Sequence, residues 1–192
     1  MEEIEVKFLD IDVGQIEKKL VTMGAKKVGD YLYIAKTFDH PDARLHSDNS
    51  WIRLRDEVDK ITLAYKKRIG VTSHDGSTSD EGMQEIQIEV DSFENTEKLL
   101  LAIGLIEKFK QEKKRTKYVL GDVEFDIDTW PLIPPYLEIE AKSFEKIKEM
   151  SALLGLDYDK HFRSSANAVF KKYGFDDHDY SVLAFDRQVK KN

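Results

Sequence analysis

Glu3-Ile4-Glu5-Val6-Lys7-Phe8 is the stretch on which the reading of this chain turns. In an extended strand alternate side chains share a face, so Glu3, Glu5 and Lys7 line one side and Ile4, Val6 and Phe8 the other. A strand that aligns two carboxylates and an ammonium is a poor packing element but a good start on a site for metal and phosphate. Other period-two segments supply the complementary charges. Residues 51–55 set Arg53 and Arg55 against Ile52 and Leu54, and residues 61–66 set Lys66 opposite Ile61, Leu63 and Tyr65. Lys113, Arg115 and Lys117 share a face, as do Glu124, Asp126 and Asp128, and Glu138 and Glu140 form a late acidic pair. With a further strand over 31–39, about eight strands on short connections predict a mostly antiparallel sheet.

The opening strand also begins a repeat. Gln87-Ile88-Glu89-Val90-Asp91-Ser92-Phe93 and Glu138-Ile139-Glu140-Ala141-Lys142-Ser143-Phe144 each run into a helical pattern, ending at Gly104 and Gly155. A looser first copy ends at Gly24. Each copy reads as strand, turn, amphipathic helix and a glycine suited to the left-handed cap. The expected apolar stripes are Ile16, Leu20 and Met23; Leu99, Leu100 and Ile103; and Ile147, Met150, Leu153 and Leu154, with Asp12 as the first N-cap. The Gly-, Ser-, Thr- and Asp-rich residues 70–84 read as a mobile loop. After 156 the chain is expected to be helical around Ala166 to Tyr173 and to fray at its Lys-rich end.

Composition narrows the function classes. The net charge of −7 argues against a general nucleic-acid binder. The absence of cysteine excludes disulfides, thiolate metal sites and cysteine nucleophiles. The acidic N-terminus gives no sign of a signal peptide, and no apolar run is long enough to span a bilayer. A cytoplasmic protein without nucleic-acid or membrane partners is the expectation.

A half-solvated antiparallel sheet explains charge alternation in any one strand. Combined, the strands argue otherwise, because acidic pairs at i, i+2 in two strands and basic pairs in two others repel unless an opposite charge lies between. A hard divalent cation satisfies the carboxylate pairs and a polyphosphate satisfies the basic ones. Glu85 and Glu89 fall on the same face, where bonding to neighbouring Arg and Lys is expected. Asp126 could share in metal binding. Trp51 and Trp130 are expected to pack in the core, and the five scattered histidines have no ligand spacing. No Walker loop occurs.

In order, these segments resemble the CYTH family, the triphosphate tunnel metalloenzymes, over residues 1–142. Glu3, Glu5 and Lys7 resemble its Glu-x-Glu-x-Lys strand, and Thr37-Phe38-Asp39-His40-Pro41-Asp42 its Phe-Asp-Pro-Asp stretch. Trp51-Ile52-Arg53-Leu54-Arg55, Leu63-Ala64-Tyr65-Lys66 and Lys113-Lys114-Arg115-Thr116-Lys117-Tyr118 resemble its basic strands. Asp128 with Glu138-Ile139-Glu140 resembles the late acidic set. The loop 130–135 departs from the family's Leu-Gly connection, and His161-Phe162-Arg163-Ser164-Ser165 is the nearest match to a Lys-Ser-Tyr lid.

The resemblance implies an α+β fold: a closed eight-stranded antiparallel β-barrel, the triphosphate tunnel, with helices packed outside. It implies one CYTH-like domain over 1–192, with barrel and outer helices in 1–156 and a C-terminal helical lid or tail in 157–192. Mg²⁺ or Mn²⁺ would be held by Glu3, Glu5, Asp128, Glu138 and Glu140. The triphosphate would be bound by Lys7, Arg53, Arg55, Lys66, Lys113, Arg115 and Arg163, with Lys66 and Asp128 catalytic. The substrate would be ATP, inorganic triphosphate or thiamine triphosphate, and a homodimer is left open. The likeness tilts towards a class IV adenylyl cyclase, with a triphosphatase as the alternative. Two further readings stay open: a non-catalytic nucleotide or polyphosphate receptor on the same barrel, and a lipocalin-like carrier with the apolar face inward.

Overall fold

A computed structural model of the chain describes residues 4–69 and 83–191. Glu3 and residues 70–82 of the loop expected over 70–84 therefore lie outside the described residues, while Met83 and Gln84, its last two residues, are strand. The chain divides into two compact units. One comprises residues up to Tyr31 with Lys114–Ser164, the other Leu32–Lys113 with residues from Ser165 onward.

The first unit holds β1 (Ile4–Phe8), α1 (Val13–Thr22), β7 (Val123–Thr129), β8 (Tyr136–Ala141) and α4 (Phe144–Leu153), with the start of β2 (Lys26–Asp39) and the end of β6 (Ile106–Leu120). β1, β8, β7 and β6 pair antiparallel in that order. The register sets Val6 on Ile139, Phe8 on Leu137, and Phe125 between Ile139 and Tyr118, which gives one wholly apolar face. Ile16 and Leu20 of α1 and Ile147, Met150 and Leu154 of α4 join that face in a single buried cluster. Burying each such aliphatic or aromatic side chain contributes about 1.5–3 kcal/mol. The apolar face thus lies under helices, which overturns the carrier reading with inverted parity.

The second unit holds the rest of β2 and β6, α2 (Arg44–Ser47), β3 (Ser50–Asp56), β4 (Ile61–Arg68), β5 (Met83–Val90), α3 (Phe93–Ala102), α5 (Ala166–Lys172), β9 (Tyr180–Leu183) and β10 (Gln188–Lys190). β2, β3, β4 and β5 form an antiparallel run. Its core is Phe38, Leu54, Leu100 and Leu105, with Ile52, Leu63, Val90 and Phe93 packed against it. Asp39 is buried, and its carboxylate accepts backbone N–H bonds from His40, Leu45 and His46 at 2.6, 3.0 and 3.0 Å. Burial pulls its pKa up, but these three donors outweigh that and hold it below the ordinary value. The Phe-Asp stretch therefore fixes the turn that leads into β3.

Strands pair in the order β1-β8-β7-β6-β2-β3-β4-β5, a large antiparallel sheet within an α+β fold. β9 joins β6 in parallel and pairs with β10. Among the described residues no pairing joins β1 to β5, so hydrogen bonds do not close the expected barrel. Nor is any helix there long and apolar enough to cross a membrane.

The three-fold repeat is borne out. Asp12, Ser92 and Ser143 cap α1, α3 and α4 by accepting from the N–H three residues on. Each helix ends at a glycine with positive φ: Gly24, Gly104 and Gly155. Two expectations are corrected. Leu99 of α3, Ile103 just past its end and Leu153 of α4 are exposed, and Thr96 and Leu100 are the residues the inner face of α3 buries. The Lys-rich end, expected to fray, pairs as β10, and the Lys191 N–H donates to Asp179 O at 2.7 Å. The helix expected around Ala166 to Tyr173 is present as α5. Beside β1, Phe162 forms a two-bond antiparallel bridge with Lys7, at 2.9 and 2.8 Å.

The glycine caps give a graded prediction. A Cβ at Gly104 (φ +93°) meets nothing within 4 Å, whereas one at Gly155 (φ +67°) lies 2.6 Å from Lys19 Nζ, which donates to Leu154 O. Gly104→Ala is expected to lower stability by about 1 kcal/mol through backbone strain alone. Gly155→Ala is expected to lower it further, as read by chemical denaturation. Equal losses would show that the Lys19 contact contributes nothing.

Candidate active site

In the first unit the face opposite the core carries Glu5 and Lys7 from β1, Glu138 and Glu140 from β8, Glu124, Asp126 and Asp128 from β7, and Arg115 and Lys117 from β6. The register explains the gathering: Lys7 lies opposite Glu138, Glu138 opposite Asp126, Glu140 between Glu5 and Glu124, and Asp128 opposite Arg115. Six carboxylates therefore share the face with three cations.

Arg115 organises the set. Its Nε and Nη2 donate to the two oxygens of Asp128 at 2.6 and 2.7 Å, Nη1 donates to Asp126 at 2.5 Å, and Nη2 also reaches Glu138. Asp128 is fully buried, and Asp126 and Glu138 nearly so. Burial works against charge on Arg115, but Asp128, Glu138 and Asp126 outweigh it and hold its pKa above the ordinary value. Lys7 is treated alike: burial lowers its pKa, and Glu138 and Glu5 more than restore it. Lys7 donates to Glu5 and lies 3.3 Å from Glu138. Tyr136, buried beside these carboxylates, accepts from Trp130 Nε1 at 2.9 Å. Burial first, then Glu138 and Asp128, drive the Tyr136 pKa well up.

In the second unit one sheet face is richer in cations than in carboxylates. Arg53 and Arg55 on β3 and Lys66 on β4 share a face with Glu85 and Glu89 of β5, opposite Lys66 and Thr62 respectively. Arg53 Nε is buried without a hydrogen-bond partner, and its nearest carboxylate contact is Glu85 at 3.5 Å. Burial, then the Arg55 charge, lower the Arg53 pKa to about 10. Burial, then Arg53, push Lys66 below the ordinary lysine value although Glu85 lies 3.2 Å away. Arg55 and Lys113 lie over the Tyr33 ring at 5.9 and 5.3 Å from its centroid. Trp51 is half-buried on this face, with Arg68 over its ring at 5.3 Å, and is not in the core.

The structure thus gathers Glu5, Lys7, Arg115, Asp128, Glu138 and Glu140 in one unit, and Arg53, Arg55, Lys66 and Lys113 in the other. Arg115 sits with the carboxylates of its unit. Arg163 is exposed, with its guanidinium 4.8 Å from the Phe144 ring centroid at the start of α4. Tyr136 and Glu57 were missed in the sequence, though each continues the parity of a charged pair. A further ligand-type group, Asp176, Asp177 and His178, has donor atoms within 4.8 Å of one another. Asn167 donates to both of its carboxylates and the His178 N–H to Asp176, which accounts for it as a turn.

The CYTH domain model matches residues 1–160. The chain belongs to the CYTH family. No curated protein matches the sequence. Among solved structures, the PH1012 protein from Pyrococcus horikoshii OT3 is 23% identical, with a TM-score of 0.62 over 85% of this chain and 96% of that one. A Vibrio parahaemolyticus protein provisionally named an adenylate cyclase is 10% identical, with a TM-score of 0.65 over 88% and 97% of the two chains. HpAC1 from Hippeastrum, described as an adenylyl cyclase candidate with a dominant triphosphatase activity, is 17% identical, with a TM-score of 0.59 over 90% and 95%. These likenesses establish a shared CYTH fold.

The carboxylate set of this CYTH chain makes a direct prediction. Arg115→Ala removes the cation shared by Asp126, Asp128 and Glu138 and is expected to lower stability by roughly 3–5 kcal/mol. Added Mg²⁺ or Mn²⁺ should raise the melting temperature of this variant more than that of the native chain. An equal rise in both would show that these carboxylates do not take a divalent cation.

Proposed function

We propose that the protein is a divalent-metal-dependent enzyme acting on a triphosphate, and that the reaction is hydrolysis. The observation that carries this is the crowding of Arg53, Arg55 and Lys66, with Arg53 Nε unsatisfied and both Arg53 and Lys66 pushed towards losing their protons. Cations packed until they repel one another are stabilised by an anion with several charges. Membership of the CYTH family supports the same ligand, as does the dominant triphosphatase activity described for the Hippeastrum protein. The enclosed tunnel implied by the resemblance, and the cytoplasmic setting expected from the sequence, belong to this reading.

The roles follow from the chemistry of each set. Arg53 and Arg55 offer planar forks to phosphate oxygens, and Lys113 a point charge. The all-oxygen donor set of Glu5, Asp128, Glu138 and Glu140, with Glu3 added from the sequence, suits a hard cation such as Mg²⁺ or Mn²⁺. When bound there, such a cation supplies neutralisation of the phosphate charge. Arg115 and Lys7 keep these carboxylates ionised and in place. Lys66, in its deprotonated form, is the side chain proposed to accept the proton of the attacking water, and burial with the Arg53 charge favours that form. As the water oxygen bonds to the terminal phosphorus, the bond to the bridging oxygen breaks and its electron pair leaves with the diphosphate. Cyclisation of ATP, towards which the sequence tilts, uses the same phosphate contacts with the ribose 3′-OH as attacker and also needs a seat for the purine. Hydrolysis needs only the groups described.

Incubation with inorganic triphosphate, thiamine triphosphate and ATP in Mg²⁺ or Mn²⁺ is expected to release orthophosphate. Cyclic AMP with pyrophosphate would replace this reading by the cyclase, and tight binding without turnover would replace it by the receptor. Arg53→Ala should reduce kcat/KM by about 10²-fold or more. Its kcat should also rise at higher pH than in the native chain, because removing a neighbouring cation lets the Lys66 pKa climb back. An unshifted pH limb would remove Lys66 as the base.

A further inference from the structure

Glu57 lies just past the end of β3, continuing the parity of Arg53 and Arg55, and the phosphate reading does not use it. Its Oε1 accepts from both Nε and Nη2 of Arg55, at 2.8 and 2.5 Å, and from Thr62 Oγ1 at 3.2 Å. Thr62 is fully buried and lies directly opposite Arg55 in the β3–β4 register. The Glu57 N–H donates to Lys60 O at 2.8 Å, which pins the backbone of the turn, and the side chain is only 13% exposed. The Nε–Nη2 edge of an arginine is one of the two that can grip a phosphate bidentately. On Arg55 that edge is already occupied by a carboxylate, whereas Arg53 has only the 3.5 Å contact to Glu85.

We propose that Glu57 is the resident counter-anion of the arginine pair and competes with the incoming phosphate chain for Arg55. Its carboxylate offsets the repulsion among Arg53, Arg55 and Lys66 while no ligand is bound. A ligand that takes the Nε–Nη2 edge of Arg55 must displace it, so only an anion with several other contacts binds tightly. Glu57 thereby sets a threshold that favours polyphosphates over single small anions. Burial raises the Glu57 pKa, but Arg55 and Thr62 outweigh it and keep the group ionised at neutral pH. This inference rests on the reading of Arg53, Arg55 and Lys66 as phosphate ligands.

The test is calorimetric titration of the full chain and its variants with inorganic triphosphate at fixed ionic strength. Glu57→Gln keeps size and hydrogen-bonding ability while removing the charge, and is expected to bind triphosphate about 3- to 10-fold more tightly. The gain should shrink as salt is raised. Glu57→Asp, which keeps the charge, should fall between the two. Weaker or unchanged binding by Glu57→Gln would overturn the proposal, weaker binding marking Glu57 as a positioning group for Arg55. Should Glu57→Gln fail to fold, Thr62→Val loosens the same carboxylate without changing charge. A modest gain in affinity is then expected, and a loss overturns the proposal. Arg53→Ala separates the two readings. If the native chain binds triphosphate no better than Arg53→Ala, the phosphate reading fails; if it binds better and Glu57→Gln gives no gain, only the counter-anion proposal fails.

Discussion

The Arg115 guanidinium, set among Asp126, Asp128 and Glu138, is the constraint on which the first unit depends. Three carboxylates at the centre of a sheet face would be untenable alone, since burying an unneutralised charge is far more unfavourable than burying an amide. Arg115 resolves this by presenting donors to all three from one planar group. Lys7 does the same for Glu5 and Glu138 one strand away. The apolar face behind them can then pack on α1 and α4 as an ordinary core.

The second unit solves the mirror problem less completely. Its cations outnumber the nearby carboxylates, and the shortfall is visible in Arg53, whose Nε has no partner. A fold that leaves such a donor buried favours a further acceptor beside it, and among crowded cations an anion suits it best. The two charged sheet faces thus differ in kind: the first carries more carboxylates than cations, and the second more cations than carboxylates.

What could be read from the sequence follows the same division between face and partner. Alternation in 51–55, 61–66, 123–128 and 136–141 placed each charged side chain on its face, because parity is local. The repeat announced three capped helices, because Ser92, Ser143, Gly104 and Gly155 act within a turn. Partners are non-local, and there the reading was thinner. That Arg115 would sit among carboxylates depends on the β6–β7–β8 register, which spacing alone does not give. Glu57 was missed because it lies past the end of a strand, although it continues the parity of Arg53 and Arg55. β9 escaped because a four-residue strand pairing in parallel with a distant one leaves no periodic trace. In α3, Leu99 and Ile103 fit a helical stripe but point away from the core, and Thr96 takes an inner position because a small polar residue suffices there.

The bridge between Lys7 and Phe162 bears on where this protein can be cut. The family match stops at residue 160, two residues short of it. A shortened chain ending there would retain every matched residue, yet leave the Lys7 amide and carbonyl exposed on an outermost strand. Such an edge is a template for pairing with other chains. The boundary that similarity draws and the boundary that covers this strand edge are therefore different lines.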